Sequence, residues 1–553
     1  MEQFRLFIAI TLSVLVFVVW NFFFVEKPKE PIKKPAVAKQ IGEKADKSKT
    51  AVKEIEKSNT IVNKVEPVDV NRIEKFYTIE TPLYIVKISD KGANFRSFTL
   101  KNYKESNDKK DLKELVVNKE TLNVSFKQQS VKNLEKAYFS TNSLSNLKIT
   151  NSPKDIVFSY TSQDGITVEK RYTFDNKTYL INCDVIVKNN SKSSFNDTLQ
   201  TSLIAGNPES RMSDVGPSAY FNGSVEYLKI GDLDDKNSIT GNIKWASFQD
   251  TYFLSSIIPT KKDQESRLKV ICDNPKDKKA LSKTTLENKL DVVQPGNQLT
   301  YNFKVFMGPM TTTVLDESGY DLSKALDFGF FDFVGKPCLW VMNQIYKAIP
   351  NYGIAIILLT LFIKIILWPL GNKGYKSMNE MKKLQPLMTE IREKYKDDKK
   401  KMNEEVMGLY KTYKINPLGG CLPMIAQLPV FFAFYQMLFQ AIELRHAPFF
   451  GWITDLSAPD RLFSGLDFLS IIPMFDPPYG IPVLTILMGA SMFLQQKMTP
   501  QAGDATQAKI MMMMPVVMTF VFMNFSSGLV LYWFVNNLFS IAQQYYTMKK
   551  KVK

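Results

Sequence analysis

The chain has 553 residues, of which 45% are hydrophobic and 23% charged, and its formal net charge at pH 7 is +16. A soft expectation of roughly 150 residues per domain would give three or four similar domains, but the composition divides the chain differently. Residues 71–320 are polar and strand-like, whereas residues 350–546 are dominated by apolar segments that a soluble core would not need. This excludes a purely soluble protein and predicts one soluble and one membrane domain.

The first apolar segment, residues 6–25, is long enough to cross a hydrocarbon core, which needs about 20 residues. A cleaved signal peptide would have a shorter apolar region, roughly 7 to 15 residues, followed by small residues. Bulky Phe22, Phe23 and Phe24 occupy that place. We therefore expect residues 1–25 to form an uncleaved transmembrane anchor. Residues 26–70 are rich in Lys, Glu, Pro and Ala, which predicts a disordered linker.

Short alternating or β-branched segments follow from Phe76 onward, separated by turn pairs such as Asp164 with Gly165. Their regular spacing predicts an all-β sandwich over residues 71–320. The only histidine, His446, lies outside this region, which contains no recognisable catalytic set. Cys183 and Cys272 either form a disulfide or are small core residues.

Residues 321–350 mix Phe, Leu and Trp with Asp, Asn and Lys. This mixture is typical of an amphipathic helix in the membrane interface. A plain helix packed beneath the sandwich is the alternative.

Five further apolar segments predict transmembrane helices and bring the expected total to six. Prolines interrupt some of them, which membrane helices tolerate because neighbouring groups can re-satisfy the freed carbonyls. The five segments are residues 352–370, 421–442, 481–495, 511–525 and 529–543. We expect a five-helix core over residues 351–548.

The distribution of Lys and Arg predicts the orientation, because cytoplasmic loops carry the excess of both. The connection 373–414 holds twelve Lys or Arg against seven Asp or Glu, and the tail 549–553 is basic, so both are expected in the cytoplasm. The loop 443–476 carries four Asp against two Arg and is expected outside. Counting through the spans then places residues 26–350 outside and both termini in the cytoplasm.

Apolar residues at spacings of three and four predict two antiparallel amphipathic helices within residues 373–415. Their positive charge would attract acidic lipid head groups or ribosomal RNA, although an ordinary solvated face would carry it too. The first helix would be marked by Met378, Met381, Leu384, Met388, Ile391 and Tyr395, and the second by Met402, Val406, Leu409 and Tyr413. Candidate contact residues of this hairpin are Met378, Met381, Tyr395 and Tyr410.

Lys364 lies inside the apolar segment 352–370, and the four later segments contain no Asp or Glu. A charge at membrane depth costs about 2.5 to 3.5 kcal/mol even on the insertion scale, so it needs a partner, water or a task. We expect Lys364 to face a hydrated recess, together with Thr360 on the same helix face and polar Gln427 and Gln436 of the next segment. Alternatively, Lys364 extends along its own helix toward the cytoplasm, and the glutamines only bond neighbouring helices.

The sequence shows no site for a cofactor, a metal or ATP. Residues 371–377 (GNKGYKS) lack the spacing of a phosphate-binding loop, and the cysteines lack zinc spacing. We expect no catalytic residues and no cofactor.

Four segments together carry a family resemblance. In chain order they read TLFIKIILWPL at 360–370, NPLGGC at 416–421, ELRHAPF at 443–449 and SGLVLYW at 527–533. They resemble the YidC family of membrane protein insertases over residues 340–548. The first span and the large outer β-domain are similar to the Gram-negative branch of that family.

The resemblance implies a groove among the five C-terminal spans, open to cytosol and lipid, that receives hydrophobic segments of nascent proteins. Lys364 stands where bacterial relatives usually have Arg, which binds carboxylates bidentately, whereas Lys is a compact charge. Tyr532 and Trp533 match an aromatic pair that is often Tyr-Tyr. The implied location is the bacterial inner membrane with the β-domain in the periplasm. The implied partners are nascent membrane proteins, the Sec translocon, membrane lipids, and the ribosome through the hairpin and tail.

Two other function classes stay open on the residues alone. A solute transporter would also use intramembrane charge, although the lack of carboxylates in the spans argues against proton coupling. A passive scaffold for the outer β-domain would need no buried charge. Neutralising Lys364 would leave such a scaffold unharmed.

Overall fold

The computed structural model describes residues 72–549 except 107–109, 117–119, 207–214, 229–237, 262–263, 273–280, 414, 416–421, 464, 467, 469–478 and 500–504. The expected anchor 1–25, the linker 26–70, most of the tail 549–553 and the NPLGGC block lie outside the described residues. From Phe76 to Pro309 the described chain is built of strands, and from Thr312 onward it is built of helices.

Within the described residues, seventeen strands form the β-domain. They are β1 Phe76–Glu80, β2 Tyr84–Ser89, β3 Phe95–Lys104, β4 Leu112–Glu114, β5 Asn123–Phe126, β6 Asn146–Lys148, β7 Lys154–Thr161, β8 Ile166–Phe174, β9 Leu180–Asn189, β10 Thr198–Gly206, β11 Gly216–Phe221, β12 Ser224–Tyr227, β13 Ser238–Gln249, β14 Phe253–Pro259, β15 Glu265–Cys272, β16 Leu281–Lys289 and β17 Gln298–Pro309. Strict alternation of buried and half-buried residues along β8 shows why such segments form strands with one face in the core.

The strands are arranged in two sheets. One has five strands in the order β4-β3-β2-β1-β6, and the other has twelve, ten of them in the order β5-β10-β16-β15-β13-β14-β17-β9-β8-β7. In the larger sheet β11 pairs with β12 and β13. Aromatic rings join the two sheets: Tyr77 meets Phe158 and Phe95 meets Tyr172, each with ring centroids 5.4 Å apart. The all-β character predicted from the alternating segments is therefore present.

The twelve strands form one sheet because β13 changes its partner along its length. Its first part, Ser238 to Asn242, pairs with β15, and its last part, Ala246 to Gln249, pairs with β14. Gly241 sits near this change with φ 149°, and a Cβ there would lie 2.4 Å from the Phe221 ring. Only glycine fits at that position without moving the ring.

Cys183 and Cys272 are both free and buried. They end up on different strands of the large sheet, β9 and β15. Of the two alternatives, the structure therefore agrees with the one in which both cysteines are small core residues, and no disulfide joins them.

The helices are α1 Thr312–Ser318, α2 Asp332–Ala348, α3 Tyr352–Lys394, α4 Lys399–Thr412, α5 Leu422–Gln440, α6 Val483–Met498, α7 Ala505–Phe522 and α8 Ser527–Lys549. Side-chain caps begin several of them. Asn351 accepts a hydrogen bond from the Ile354 amide at the start of α3, and Asp398 accepts one from the Lys401 amide at the start of α4. In the core, α8 packs against α3 and α6, and α6 also packs against α7.

α3 differs from the prediction of a span followed by a separate hairpin helix. It is one helix of 43 residues that continues through Pro369 and Pro386. No residue between 370 and 373 ends it, and Gly371 lets it approach α8 closely, since a Cβ there would lie 2.6 Å from the Gln543 amide nitrogen. Among the described residues α3 is the one helix long and apolar enough to cross a membrane by the length and hydropathy test, with a shorter apolar helix at Lys509–Phe522. The count of six spans stays a prediction.

α2 buries one face and exposes another. Gly335, Cys338, Leu339 and Met342 are buried where the helix packs against α3 and α5. The opposite side exposes 64% of Trp340, and Phe333 is exposed as well. This arrangement is compatible with both alternatives from the sequence, a helix in the membrane interface and a helix packed beneath the sandwich.

Candidate functional site

Lys364 lies on α3 and is 9% exposed. Its ammonium group donates to the Ser540 hydroxyl of α8 at 2.8 Å and to the side-chain oxygen of Gln427 on α5 at 3.3 Å. Both acceptors are neutral. The lysine thus points between three helices, and in the described chain it does not extend along its own helix toward solvent.

The acceptors of Lys364 belong to a wider polar cluster. The Gln427 amide donates to the Asn536 side-chain oxygen at 2.5 Å, and the Ser540 hydroxyl donates to the Asn536 backbone carbonyl at 2.8 Å. Tyr375 donates its hydroxyl to the Ser540 carbonyl at 3.4 Å. Each partner of the lysine is therefore held by a second hydrogen bond, which fixes where the charge can lie.

A second polar contact between α3 and α8 lies one turn away. The Gln543 amide donates to the Trp368 carbonyl at 3.0 Å and to the Asn372 side-chain oxygen at 3.2 Å. The Thr547 hydroxyl also donates to Asn372, at 3.1 Å. Gln543 of α8 thus bonds both the backbone and a side chain of α3.

A cavity of about 30 Å³ opens beside the ammonium group. A buried water needs roughly 10 to 15 Å³ and two to four polar partners, so the cavity has room for about two. It is lined by Lys364, Leu367, Leu370, Gly371, Tyr375, Gln427 and Gln543. The lining thus combines polar side chains with two leucines.

Two of the expected groove residues lie apart from this cluster. The Thr360 hydroxyl is 1% exposed and donates to the Ile356 carbonyl of its own helix at 2.6 Å. Gln436 accepts from the Gln440 amide at 3.5 Å, also within one helix. Thr360 lies on the same helix face as Lys364, but its hydroxyl bonds the backbone of its own helix and not the cluster around the lysine.

The aromatic pair lies on two sides of α8. Tyr532 is 3% exposed and stacks on Phe434 of α5 with centroids 4.6 Å apart. Trp533 packs edge-on against Phe431 of α5 at 4.6 Å and against Phe522 of α7 at 4.9 Å. Both rings therefore join helices of the core.

The hairpin has a small core of its own. Leu384, Met388 and Tyr410 are buried, and the Tyr410 hydroxyl donates to the Met388 sulfur at 3.4 Å. Burial raises the pKa of Tyr410. Met381 packs against this core, whereas Met378 is half-buried outside it.

Two tyrosines do not follow the predicted hairpin pattern. Tyr413 is 53% exposed, because Tyr410 takes the core position on α4. Tyr395 lies beyond the last residue of α3, where the ammonium groups of Lys394 and Lys401 each sit 5.4 Å from its ring centroid. Its contacts are thus with cations, not with the hairpin core.

Asn536, Ser540, Gln543 and Tyr375 were not singled out from the sequence. A signal was present in α8, where Tyr532, Asn536, Ser540 and Gln543 follow one another at spacings of four, four and three in a largely apolar helix. That spacing places them on one face.

The arrangement can hold a cation in a neutral polar setting that admits water. Among the described residues, no three His, Cys, Asp or Glu side chains come close enough to hold a metal ion. The site offers a positive charge and side-chain hydrogen-bonding groups.

Comparisons with known proteins cover both halves of the chain. The profile of the family described as "60Kd inner membrane protein" matches residues 344–553, and the profile described as "YidC periplasmic domain" matches residues 77–341. A relative from Syntrophus aciditrophicus named membrane protein insertase YidC is 41% identical, covering 88% of this chain and 87% of the relative.

A second relative of the same name, from Pelobacter propionicus, is 36% identical over 99% of both chains. A solved structure titled as an active YidC insertase with its first transmembrane domain resolved covers 87% of this chain and 95% of its own at 21% identity, with a TM-score of 0.37. On the two family profiles and these full-length relatives, the chain belongs to the YidC family of membrane protein insertases.

Proposed function

We propose that Lys364 marks the working centre of this membrane protein insertase and chaperone. A hydrophobic segment of a nascent protein would enter a hydrated, positively charged groove and pass from there into the inner membrane, where the chain also aids its folding. The observation that supports this most directly is a buried ammonium group held by neutral side chains, Ser540 and Gln427, beside a cavity.

The electrostatic cost of burying Lys364 without a counter-charge favours binding of an acidic group at this position. Without a counter-charge, Lys364 is stabilised by the Ser540 and Gln427 oxygens. Water in the cavity would offset a further part of its cost of about 2.5 to 3.5 kcal/mol at membrane depth. The acidic flank of a client would supply the missing charge and leave again on the other side. The driving force would be partition of the client's apolar segment into lipid, aided by the membrane potential for negative flanks.

Water in the groove would shorten the apolar path that the flank must cross. The proposed groove combines Lys364 and Gln427 with Thr360, Gln436, Tyr532 and Trp533. Asn536, Ser540 and Gln543 join this set because they bond Lys364, its partners or the same helix pair. Lysine in place of the more usual arginine suits a mechanism that needs a positive, water-attracting group without fork-like pairing.

We propose the following division of the chain around that core. It is an anchor at 1–25, a linker at 26–70, a periplasmic β-sandwich domain at 71–320, an interfacial amphipathic helix at 321–350, an insertase core at 351–548 with the hairpin at 373–415, and a basic tail at 549–553. Six spans and cytoplasmic termini follow from the same loop charges. The exposed Phe333 and Trp340 of α2 support its place at the membrane interface.

The cytoplasmic hairpin would receive partners. Its lysines, among them Lys382, Lys383 and Lys396, are exposed, which supports contact with ribosomal RNA or acidic lipid heads. Work alongside the Sec translocon belongs to the same proposal. The insertase needs no catalytic residue, because it moves a chain between solvents without making or breaking covalent bonds.

The test is insertion of a single-span client with a short acidic tail into liposomes that hold only this purified protein, without ATP. Lys364→Ala should lower insertion by about 10- to 100-fold, the equivalent of roughly 1.4 to 3 kcal/mol, and Lys364→Arg should retain it. Lys376→Ala is the matched control, since Lys376 is an exposed lysine on the same helix.

Each outcome separates the candidate functions. Full activity of Lys364→Ala would rule out the charged groove. An inert parent protein would count against insertion without further components and in favour of a transporter or scaffold.

A further inference from the structure

The loop that follows α5 is fastened to the helical core. We call residues 443–463 the outer loop. Asp460 accepts hydrogen bonds from the backbone amides of Leu484 and Thr485 at the start of α6. The Gly528 amide at the start of α8 donates to the Leu456 carbonyl at 2.8 Å. The outer loop is thus bound to two core helices by their own N-terminal amide groups.

Arg445 of the outer loop points away from the core and into the β-domain. Its guanidinium donates to the Glu105 carbonyl at 2.8 Å, across 340 positions of sequence. The same group lies 5.5 Å from the ring centroid of Phe253 and 6.0 Å from that of Tyr252. These distances are those of cation–π contacts.

The β-domain presents a built surface to this arginine. Tyr103 packs edge-on against Phe253 at 5.5 Å and so fixes the ring beneath the guanidinium. Lys113 pairs with the Glu105 carboxylate at 3.0 Å, which holds the segment whose carbonyl Arg445 uses. Burial is the main reason that the pKa of Tyr103 is raised.

A second contact lies beside the first. The Tyr252 side chain also lies close to Ser457, farther along the outer loop. Ser457 is itself held, because its amide and hydroxyl donate to Asp455 at 2.8 and 2.7 Å. The β-domain therefore meets the outer loop at two points.

The neighbours of Arg445 in the chain hold its backbone in place. Glu443 accepts from the Asn343 amide of α2 at 3.3 Å, and Tyr352 of α3 donates to the Asn343 oxygen at 3.3 Å. The His446 amide donates to Asp455 at 3.0 Å. A segment of four residues thus contacts α2, the outer loop and the β-domain.

We propose that Arg445 is a positioning residue that docks the β-domain on the outer loop, so that the β-domain takes one fixed orientation over the helical core. Arginine suits this role because its planar group can hydrogen-bond a carbonyl and lie over aromatic rings at once. The role is independent of the charged groove and assigns a function to a contact between the two halves of the chain.

The experiment uses the full chain in lipid nanodiscs with nitroxide labels on unnatural amino acids at Lys132 and Ala348, both exposed. The distance distribution between the labels is followed against urea, at concentrations below the unfolding of either half. We expect Arg445→Gln to lower the docked-to-undocked ratio by about 10- to 100-fold, as for loss of a charge-assisted hydrogen bond and a cation–π contact. Arg445→Lys should lower it less.

Arg461→Gln is the matched control. Arg461 lies in the same outer loop but donates to the Met523 carbonyl and to Asn524 within the core, so its loss should leave the docked ratio unchanged. Phe253→Leu tests the other side of the contact, and combined with Arg445→Gln it should cost less than the two single changes added together.

The proposal is overturned if Arg445→Gln undocks at the same urea concentration as the parent, or if Arg461→Gln undocks as readily as Arg445→Gln. Thermal unfolding of the β-domain is measured beside it. An unchanged unfolding temperature with a lower docked ratio separates positioning from a general loss of structure. Because no insertion is measured, the result stands whether or not the charged groove is correct.

Discussion

Among the residues that the structure describes, two lysines are almost completely buried: Lys170 in the β-domain and Lys364 in the helical core, at 1% and 9% exposure. In the described part, the ammonium group of each donates to neutral oxygens. Lys170 donates to the Gly92 backbone carbonyl at 2.6 Å and lies 5.1 Å from the Phe139 ring centroid. Lys364 donates to two side chains beside a cavity.

The difference lies in what surrounds the charge. Around Lys170 are a fixed carbonyl and a ring, and Tyr172 from the same strand donates to the Ala93 carbonyl at 2.8 Å. Gly92 and Ala93 form a turn with positive φ, so both side chains fasten that turn to β8. Around Lys364 are side-chain amide and hydroxyl groups and a cavity with room for water. Burial of a lysine alone therefore does not distinguish the two sites, whereas the space beside the ammonium group does.

The first prediction compares loss of each lysine charge in a separate variant, and the largest effect on insertion should come from Lys364. Lys364→Met should lower liposome insertion by about 10- to 100-fold, since the client's acidic flank loses its counter-charge. Lys170→Met should leave insertion within about twofold, because the change stays inside the β-domain. Insertion by Lys170→Met that falls as far as in Lys364→Met would erase the distinction between the two sites.

The second prediction concerns pH. Burial lowers the pKa of Lys170 from 10.5 to about 7, although nearby Glu135 opposes this. Between these two values the unfolded chain binds more protons than the folded chain, so the free energy of unfolding of the β-domain should rise with pH. The slope is at most about 1.4 kcal/mol per pH unit.

Urea unfolding of the full chain at pH 7, 8 and 9, followed by pulse proteolysis of the β-domain, measures this slope. Lys170→Met removes the titrating group and should flatten the profile relative to the parent. An equal slope in both proteins would mean that another group causes it.

The β-domain was predictable as a class because strands such as Ile166–Phe174 alternate between buried and half-buried residues. Strand partners were not predictable, since the change of partner along Ser238–Gln249 depends on contacts far apart in sequence. The same limit applies to α3. The charged segment after Leu370 suggested a separate helix, but α3 continues through it. There Gly371 lies close to Gln543 of α8, a contact that one segment cannot reveal.

In the candidate site, too, the local feature was predictable from the sequence and the contact between distant segments was not. Lys364 stood out because a charge in an apolar segment is costly. Its main acceptor, Ser540, did not stand out, because a hydroxyl in an apolar helix costs little when it bonds its own backbone, as this one does to the Asn536 carbonyl. Charge is visible in a sequence, whereas a pairing between helices 176 positions apart is not.

The third prediction removes one hydroxyl beside each lysine. Tyr172→Phe leaves the buried Ala93 carbonyl without its donor, which should lower the free energy of unfolding of the β-domain by about 1 to 2 kcal/mol without changing insertion. Ser540→Ala leaves Lys364 bonded to Gln427, and water in the cavity can replace the hydroxyl, so insertion should fall only about threefold. The prediction fails if Tyr172→Phe lowers insertion, or if Ser540→Ala leaves insertion unchanged. Either result would mean that the two hydroxyls do not distinguish the two lysine sites.

The smallest effect should come from Gln436, which shares a helix with Gln427 but not its contacts. Gln436 accepts only a long bond of 3.5 Å from Gln440 in the described structure, whereas Gln427 joins Lys364 to Asn536. Gln436→Leu should therefore keep insertion within about twofold of the parent, while Gln427→Leu, the matched change on the same helix, should lower it by about 10-fold because it removes an acceptor from a buried charge. If the two variants lose equal activity, the polarity of the whole α5 face sets the rate, and the groove is a diffuse wet surface instead of a site centred on one lysine.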